Sequence, residues 1–210
     1  MYFRDRIEAA ERLAEALAGY RGRRPLVLGI PRGGVVMARV IADRLEGEVD
    51  VVLVHKLGAP GQPEVAIGAV DEDGNVSIAP HARGWISPRY FEEEKQRQLA
   101  ELRRRRARYT PQSGPADPRG RVTIVVDDGL ATGATMKAAL AALRRKEPQE
   151  LVVAVPVSSA EALAEVRSQA DRVVCLHVPD FFMAVGQFYQ DFRQVSDEEV
   201  VAALQGGHSS

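Results

Sequence analysis

Cysteine and long apolar runs are both scarce in this chain. Cys175 is the only cysteine among 210 residues, so an internal disulfide is excluded. No apolar stretch approaches the roughly 20 residues that a helix needs to cross a bilayer. Residues 1–20 alternate charged and apolar side chains and contain no signal-peptide core. We therefore expect a protein of the reducing cytoplasm that has no membrane partner.

An excess of charge of either sign is also missing. The chain has 28 Lys and Arg residues against 29 Asp and Glu residues, which gives a formal net charge of -1 at pH 7. Because no broad basic field is present to attract nucleic acid, we expect no nucleic-acid partner. The basic run Arg103–Arg106 is interpreted as the solvated face of a helix. Any anionic ligand must then be bound by local positive groups.

Composition and segment pattern favour a single α/β domain over residues 1–210. Apolar residues make up 45% of the chain, enough for a full core, and no long linker divides it. Short apolar runs without period-2 alternation recur between helical segments, which predicts a Rossmann-like parallel sheet with helices on both faces. These runs lie at 25–30, 49–54, 122–126, 151–155 and 173–177. A hairpin pattern centred on residues 71–75 is inserted after the second run.

Two adjacent acids follow the third of these predicted strands. Asp127 and Asp128 stand directly after residues 122–126, and parallel sheets bind ligands at the carboxyl ends of their strands. Ionised carboxylates only accept hydrogen bonds, which suits a ligand with vicinal hydroxyl groups. The alternative is a pair of solvated acids in front of a capped helix.

The loop after the two acids has the features of an anion site. Its glycines, Gly129 and Gly133, allow backbone N–H groups to approach an anion closely. Thr132 and Thr135 add hydroxyl donors, and the start of the following helix contributes about 0.3–1 kcal/mol per anionic group. A P-loop does not fit, because Ala134 rather than lysine follows Gly133. The acids and the loop together predict a sugar-phosphate ligand.

The segment Val125–Thr135, VVDDGLATGAT, resembles the signature with which type I phosphoribosyltransferases bind 5-phosphoribosyl-1-pyrophosphate (PRPP). The resemblance implies the type I phosphoribosyltransferase fold. It also implies that Asp127 and Asp128 contact the ribose hydroxyls, while the next loop surrounds the 5-phosphate. The residues of that loop are Ala131, Thr132, Gly133, Ala134 and Thr135.

The same resemblance implies a reaction and a cofactor. Members of the family transfer ribose 5-phosphate from PRPP to a nitrogen nucleophile, usually a nucleobase, and release pyrophosphate. They work with Mg²⁺, which PRPP carries and for which Asp127 and Asp128 are candidate ligands. The family is usually dimeric or larger, so a homo-oligomer is expected. The identity of the acceptor base stays open.

A second loop resembles the pyrophosphate loop of the family. It comprises Pro31, Arg32, Gly33 and Gly34 at the end of the first predicted strand. Arg32 supplies a positive charge, and the two glycines allow close approach of the backbone; a simple tight turn is the alternative. Lys56, near the end of the second predicted strand, matches a basic residue that reaches the pyrophosphate in similar proteins, with an ordinary surface lysine as the alternative. The resemblance thus adds Arg32 and Lys56 to the two aspartates as catalytic residues.

Two further segments flank the expected core, which covers about residues 20–178. Residues 57–90 correspond in position to a mobile loop that closes over PRPP in the family. Residues 178–205, with a contribution from the N-terminal helix, correspond to the hood over the acceptor. In the 6-oxopurine group an aromatic residue of the hood stacks on the purine, a role that falls to Phe182 or, alternatively, Phe181. Both phenylalanines are equally explained by packing of the hood against the core.

One departure from the 6-oxopurine enzymes concerns Ala131. Those enzymes have an aspartate at this position that acts on N7 of the purine, and Ala131 cannot transfer a proton. Adenine-type members also have alanine here, so the position weakens the hypoxanthine–guanine interpretation and leaves transferase activity open. A non-catalytic PRPP-binding regulator of the same fold remains the alternative function. PRPP synthesis fits less well, because it needs two such domains and a longer chain.

Overall fold

Six α-helices and eight strands follow one another along residues 1–205, the part of the chain that the computed structural model describes. The helices are α1 Arg6–Ala16, α2 Gly33–Leu45, α3 Pro88–Tyr109, α4 Ala134–Arg144, α5 Ala160–Arg167 and α6 Asp197–Gln205. The strands are β1 Leu26–Gly29, β2 Glu48–Val51, β3 Val54–Ala59, β4 Gln62–Asp71, β5 Val76–Ile78, β6 Val122–Val126, β7 Glu150–Val157 and β8 Arg172–His177. Within these residues no helix combines the length and apolar character needed to cross a membrane.

Five strands form the main sheet, in the order β2-β1-β6-β7-β8, and all of its pairings are parallel. The carboxyl ends of these strands therefore lie at one edge. The chain passes from β1 outward to β2 and later returns to the other side of β1 as β6, so the strand order reverses between β1 and β6. Such a reversal opens a crevice that binds ligands in α/β sheets. The α/β fold class predicted from the apolar runs is confirmed.

Helices cover both faces of this sheet. Helices α1 and α2 pack against one face, where Val27, Ile124 and Val152 are fully buried. Helices α4 and α5 pack against the other face, on neighbouring strand residues such as Leu26 and Val153. Both faces of each central strand are thus removed from water, which explains why the strands lack alternation in the sequence.

A separate antiparallel sheet, in the order β3-β4-β5, forms the insertion. The predicted hairpin around residues 71–75 is confirmed, but two expectations for the residues before it were wrong. Residues 49–54 do not form one strand, because β2 ends at Val51 and Val54 already pairs with Asp71 in the second sheet. Residues 57–66, expected to be part of a loop, form a hairpin of β3 and β4 with a turn at Gly61, whose φ is 68°. Lys56 consequently lies within β3.

One arginine of the run Arg103–Arg106 ties this insertion to the main sheet. The Arg106 side chain is only 11% exposed. Its guanidinium donates two hydrogen bonds to Glu72, of 2.7 and 2.8 Å, and one of 2.8 Å to Asp50 in β2. The interpretation as a solvated run is therefore wrong for Arg106. A buried guanidinium needs carboxylate partners, and the hairpin and β2 supply one each.

The beginning of the chain is joined to the segment after β8. Phe3 forms a parallel bridge with Tyr189. The Phe3 N–H donates to the Phe188 carbonyl at 2.8 Å, and Gln190 N–H donates to the Phe3 carbonyl at 2.9 Å. Residues 178–205, the predicted hood, are thus attached to the N-terminal segment as well as to the sheet.

Candidate functional site

The loop after β1 packs directly against the loop after β6. Arg32 is the N-cap of α2, and the Pro31–Arg32 peptide bond is cis. A Cβ atom at Gly34 would lie 2.4 Å from the Val126 carbonyl oxygen, and one at Gly33 would lie 2.3 Å from Asp128 Oδ2. Real Cβ atoms do not approach so closely, so only glycine permits this contact between the two loops.

The loop between β6 and α4 is held by the start of α5. Ser159 Oγ donates to the Ala131 carbonyl at 2.8 Å, and Ser159 N–H donates to the Leu130 carbonyl at 3.0 Å. Gly133, with φ of 73°, turns the chain into α4. Ala131 and Thr132 are exposed. The first turn of α4 therefore presents N–H groups and the Thr135 hydroxyl at the carboxyl edge of the sheet, although the Ala134 N–H donates to Thr132 Oγ1 at 3.4 Å.

The two aspartates have different surroundings. Asp128 Oδ2 accepts a hydrogen bond from Arg6 Nε at 3.0 Å, in an ion pair whose side chains are 12% and 16% exposed. Asp127 Oδ1 accepts from the Asp128 N–H at 2.8 Å. Burial, and then the charge of Asp128, raise the pKa of the Asp127 carboxyl well above its ordinary value. The pair is thus asymmetric, with a cation beside Asp128 only.

Hood residues complete the surroundings of Asp128. The Tyr189 hydroxyl donates to the Asp128 carbonyl at 2.7 Å, and burial raises the pKa of Tyr189. The Arg6 guanidinium lies 4.1 Å from the centre of the Phe192 ring. A Cβ atom at Gly129 would lie 2.6 Å from Val185 Cγ1, so the hood also packs on the loop after β6.

A cavity of about 250 Å³ opens where β1, β2 and β6 end. It brings three predicted site residues together: Pro31, Lys56 and Thr135. Its other lining residues are Ile30, Val52, Leu53, Val54, His55 and Arg105. The lining residues of this cavity are thus far apart in the sequence. They come from both candidate loops and from the insertion.

The two hood phenylalanines lie outside that lining. Phe182 is half-buried, and its ring stacks on Phe188 with centroids 5.5 Å apart. Phe188 is itself 3% exposed and also stacks on Tyr2 at 6.2 Å. Phe181 is 71% exposed. Phe182 therefore contributes to the packing of the hood, whereas Phe181 is free to meet a ligand or a partner.

The carboxylates suit a metal ion that arrives with its ligand. No cluster of three or more His, Cys, Asp or Glu side chains that could hold a metal occurs within residues 1–205. Arg6 binds Asp128 Oδ2, and the Asp128 N–H binds Asp127 Oδ1, which leaves the second oxygen of each carboxylate for a ligand. Mg²⁺ prefers one or two carboxylates together with phosphate oxygens and water, so the donor set fits PRPP-borne Mg²⁺.

Comparison with known proteins agrees with this geometry. A family model described as a phosphoribosyl transferase domain matches residues 4–193. The chain belongs to the phosphoribosyl transferase family. A Mycobacterium tuberculosis H37Rv relative that carries the provisional name of a phosphoribosyl transferase is 43% identical over 208 residues, or 98% of this chain. The match covers 47% of that relative, so the chain spans about half the length of the curated relatives it matches.

Solved structures include one neighbour of high similarity. The crystal structure of TT1426 from Thermus thermophilus is 50% identical, with a TM-score of 0.88 over 98% of this chain and 99% of that one. A purine phosphoribosyltransferase from Pyrococcus horikoshii is 15% identical, with a TM-score of 0.48 over 90% of each chain. The family model and the 43% identical relative confirm the family that residues 125–135 resemble.

Sequence reasoning missed Arg6, Tyr189 and Arg105. Arg6 lies 122 positions from Asp128, and no local pattern marks an arginine in the first turn of a helix as a partner of a distant acid. The one available signal was the expected contribution of the N-terminal helix to the hood. Arg105 was hidden inside the basic run, whose four arginines look alike in the sequence.

Proposed function

We propose that this chain transfers ribose 5-phosphate from PRPP to a nitrogen atom of a nucleobase and releases pyrophosphate. The observation that carries the proposal is the convergence of both candidate loops and Lys56 at the strand-order reversal. Asp127 and Asp128 bind the ribose hydroxyls, and residues 131–135 bind the 5-phosphate. Arg32 and Lys56 bind the pyrophosphate.

Charge stabilisation at the leaving group is the main catalytic contribution. The bond between C1 of the ribose and the pyrophosphate oxygen breaks, and a bond from C1 to the acceptor nitrogen forms. The pyrophosphate leaves, and the proton on that nitrogen is released to water. Arg32 and Lys56 stabilise the negative charge that develops on the pyrophosphate. Mg²⁺ held by PRPP and the two aspartates would neutralise part of the same charge. Asp127 and Asp128 orient the sugar, and Ala131 takes no part in moving the proton.

Pyrophosphate release from PRPP and Mg²⁺, measured with a panel of purines and pyrimidines, tests this proposal. We expect release with at least one base and its loss in the Asp127→Asn/Asp128→Asn double variant. The matched control is Asp117→Asn, which changes an exposed loop carboxylate in the same way. Binding of PRPP without release from any base would instead favour the non-catalytic regulator, and absence of PRPP binding would contradict both functions.

A further inference from the structure

Arg105 of α3 lies on the wall of the cavity that also contains Pro31, Lys56 and Thr135. Helix α3 follows the hairpin insertion and is not part of either candidate loop. Its presence at the cavity therefore adds a guanidinium from a third part of the chain.

The charges around the cavity are of one sign. Its lining includes the positive charges of Lys56 and Arg105 and contains no carboxylate. Thr135 lies in the first turn of α4, whose N-terminus carries a partial positive charge. Positive groups that face one space without a carboxylate in its lining create a potential that attracts an anion. The space of about 250 Å³ accommodates a small anionic group.

The guanidinium of Arg105 is only weakly held by the protein. Among the described residues 1–205, its one hydrogen bond goes from Nε to Glu101 Oε1 at 3.3 Å, and its side chain is 39% exposed. Glu101 is shared, because Arg104 pairs with its other oxygen. Arg106, in contrast, has four hydrogen bonds to carboxylates and a carbonyl within 2.9 Å. Within one run, Arg106 holds the fold together and Arg105 keeps most of its donors free.

Arg105 and Arg32 lie in the same region. Burial, and then a hydrogen bond to Asp197, raise the pKa of Tyr109 to about 12, and the charges of both arginines oppose this shift. Asp197 is engaged by Tyr109 at 2.7 Å and Arg108 at 3.2 Å. Its negative charge is therefore already compensated, and the two arginines remain available to an anion.

We propose that Arg105 binds the pyrophosphate group of PRPP together with Arg32 and Lys56, an inference that rests on the proposed function. A planar guanidinium forms paired hydrogen bonds with phosphate oxygens. The insertion thereby contributes both Lys56 and, through α3, Arg105 to the recognition of the leaving group. The 5-phosphate is bound by residues 131–135, of which only Thr135 also lines this cavity, and the ribose by Asp127 and Asp128, so neither group depends on Arg105.

Titration calorimetry in the presence of Mg²⁺ tests this role with PRPP, inorganic pyrophosphate and ribose 5-phosphate as ligands. We expect Arg105→Gln to weaken binding of PRPP and pyrophosphate about tenfold or more, and to leave binding of ribose 5-phosphate unchanged. Arg104→Gln is the matched control, since Arg104 shares Glu101, is 75% exposed and does not line the cavity. It should alter none of the three affinities. Arg105→Lys keeps the charge and should retain part of the lost affinity.

The outcomes separate this inference from the proposed function. If wild-type protein binds PRPP and Arg105→Gln binds it equally well, Arg105 has no role in binding and the function stands. Equal weakening for ribose 5-phosphate and pyrophosphate would also overturn the inference, because the effect would then be a general one. Failure of wild-type protein to bind PRPP would overturn the function, and failure to bind inorganic pyrophosphate as well would overturn the inference.

Discussion

Arg6 and Asp128 form an ion pair with Nε 3.0 Å from Oδ2, although they are 122 positions apart. Arg6 also donates to the Arg193 carbonyl at 2.7 Å and lies over the Phe192 ring. One side chain thus joins the N-terminal helix, the loop after β6 and the hood. The position of Asp128 therefore depends on a residue that lies 122 positions before it in the sequence.

Replacement of Arg6 should destabilise the protein. Arg6→Gln leaves Asp128 without a cation and removes a charged hydrogen bond, so we expect a loss of about 1.5–3 kcal/mol in the free energy of unfolding. Urea denaturation measures this loss. Arg21→Gln is the control, because Arg21 pairs with Glu46 at 3.3 Å with both side chains at least 60% exposed, and such pairs contribute little. Equal midpoints for the two variants would contradict a structural role for Arg6.

The stability difference between wild type and Asp127→Asn should grow with pH. Burial and Asp128 raise the pKa of Asp127 in the folded protein, so the folded state binds this proton more tightly than the unfolded chain. Its contribution to stability is present below the ordinary carboxyl pKa and is lost as pH rises through the raised pKa. Asparagine carries no charge, so the variant should be more stable than wild type at neutral pH and converge with it in acid.

Asp171→Asn is a control for that experiment, because its stability difference from wild type should have the opposite sign. Hydrogen bonds from Arg144 and from the Leu151 N–H lower the pKa of Asp171. Its stabilising effect is therefore present above the ordinary carboxyl pKa and is lost as pH falls. Asp171→Asn should be less stable than wild type at neutral pH and converge with it in acid. Unfolding curves across a pH series that show the same sign for both variants would refute the assignment for Asp127.

Gly34→Ala should separate the two candidate loops. Its Cβ would lie 2.4 Å from the Val126 carbonyl oxygen, and the backbone there cannot move without disturbing β6. We expect a loss of about 1–3 kcal/mol, as for other overpacking substitutions, measured by urea denaturation. At Gly19 a Cβ would meet nothing within 4 Å, so Gly19→Ala should be neutral or slightly stabilising. A tolerated Gly34→Ala would show that the loops are not in close contact.

Loss of Arg106 should loosen the insertion. Arg106→Met leaves Asp50 and Glu72 buried without their cation, and breaking such a pair costs about 3–5 kcal/mol. Exchange of backbone amide hydrogens should accelerate most in β3–β5 and in the last turn of α3, which contains Arg106. Arg103→Met, at an exposed position of the same helix, is the control and should leave exchange in these strands unchanged. Uniform acceleration over the whole chain would show that Arg106 does not act specifically on the insertion.

The order of the core was accessible from sequence because a short, mostly apolar run marks each main-sheet strand. The boundary between β2 and β3 was not accessible from the sequence. Val51, Val52, Leu53 and Val54 continue one apolar run without a turn residue, yet the chain leaves one sheet and enters another there. Pairing with a distant partner, β4, decides where β3 begins, and propensity contains no information about it.

The residues of the candidate site also fall into two groups, those marked by a sequence motif and those brought to the site by folding. Asp127, Asp128 and the loop up to Thr135 form one contiguous motif, so their adjacency is a property of the sequence itself. Arg6 and Arg105 reach the site only through the packing of α1 and α3. Their neighbours in the sequence, such as Arg4 and Arg104, have the same chemistry but face solvent. Helix orientation in the folded protein distinguishes them, and that orientation depends on contacts with distant elements.

The bridge between Phe3 and Tyr189 has a consequence for biosynthesis. During translation residues 3–6 leave the ribosome well before their partners in the hood, since 187 positions separate Arg6 from Arg193. During that interval Phe3 and Arg6 have no partner in the hood, while the strands of the parallel sheet are synthesised. The surroundings of Asp128 are then completed only by the hood, which is synthesised after all strands of the sheet. A nascent chain that stalls before Tyr189 would carry the whole signature motif and still lack a finished binding site.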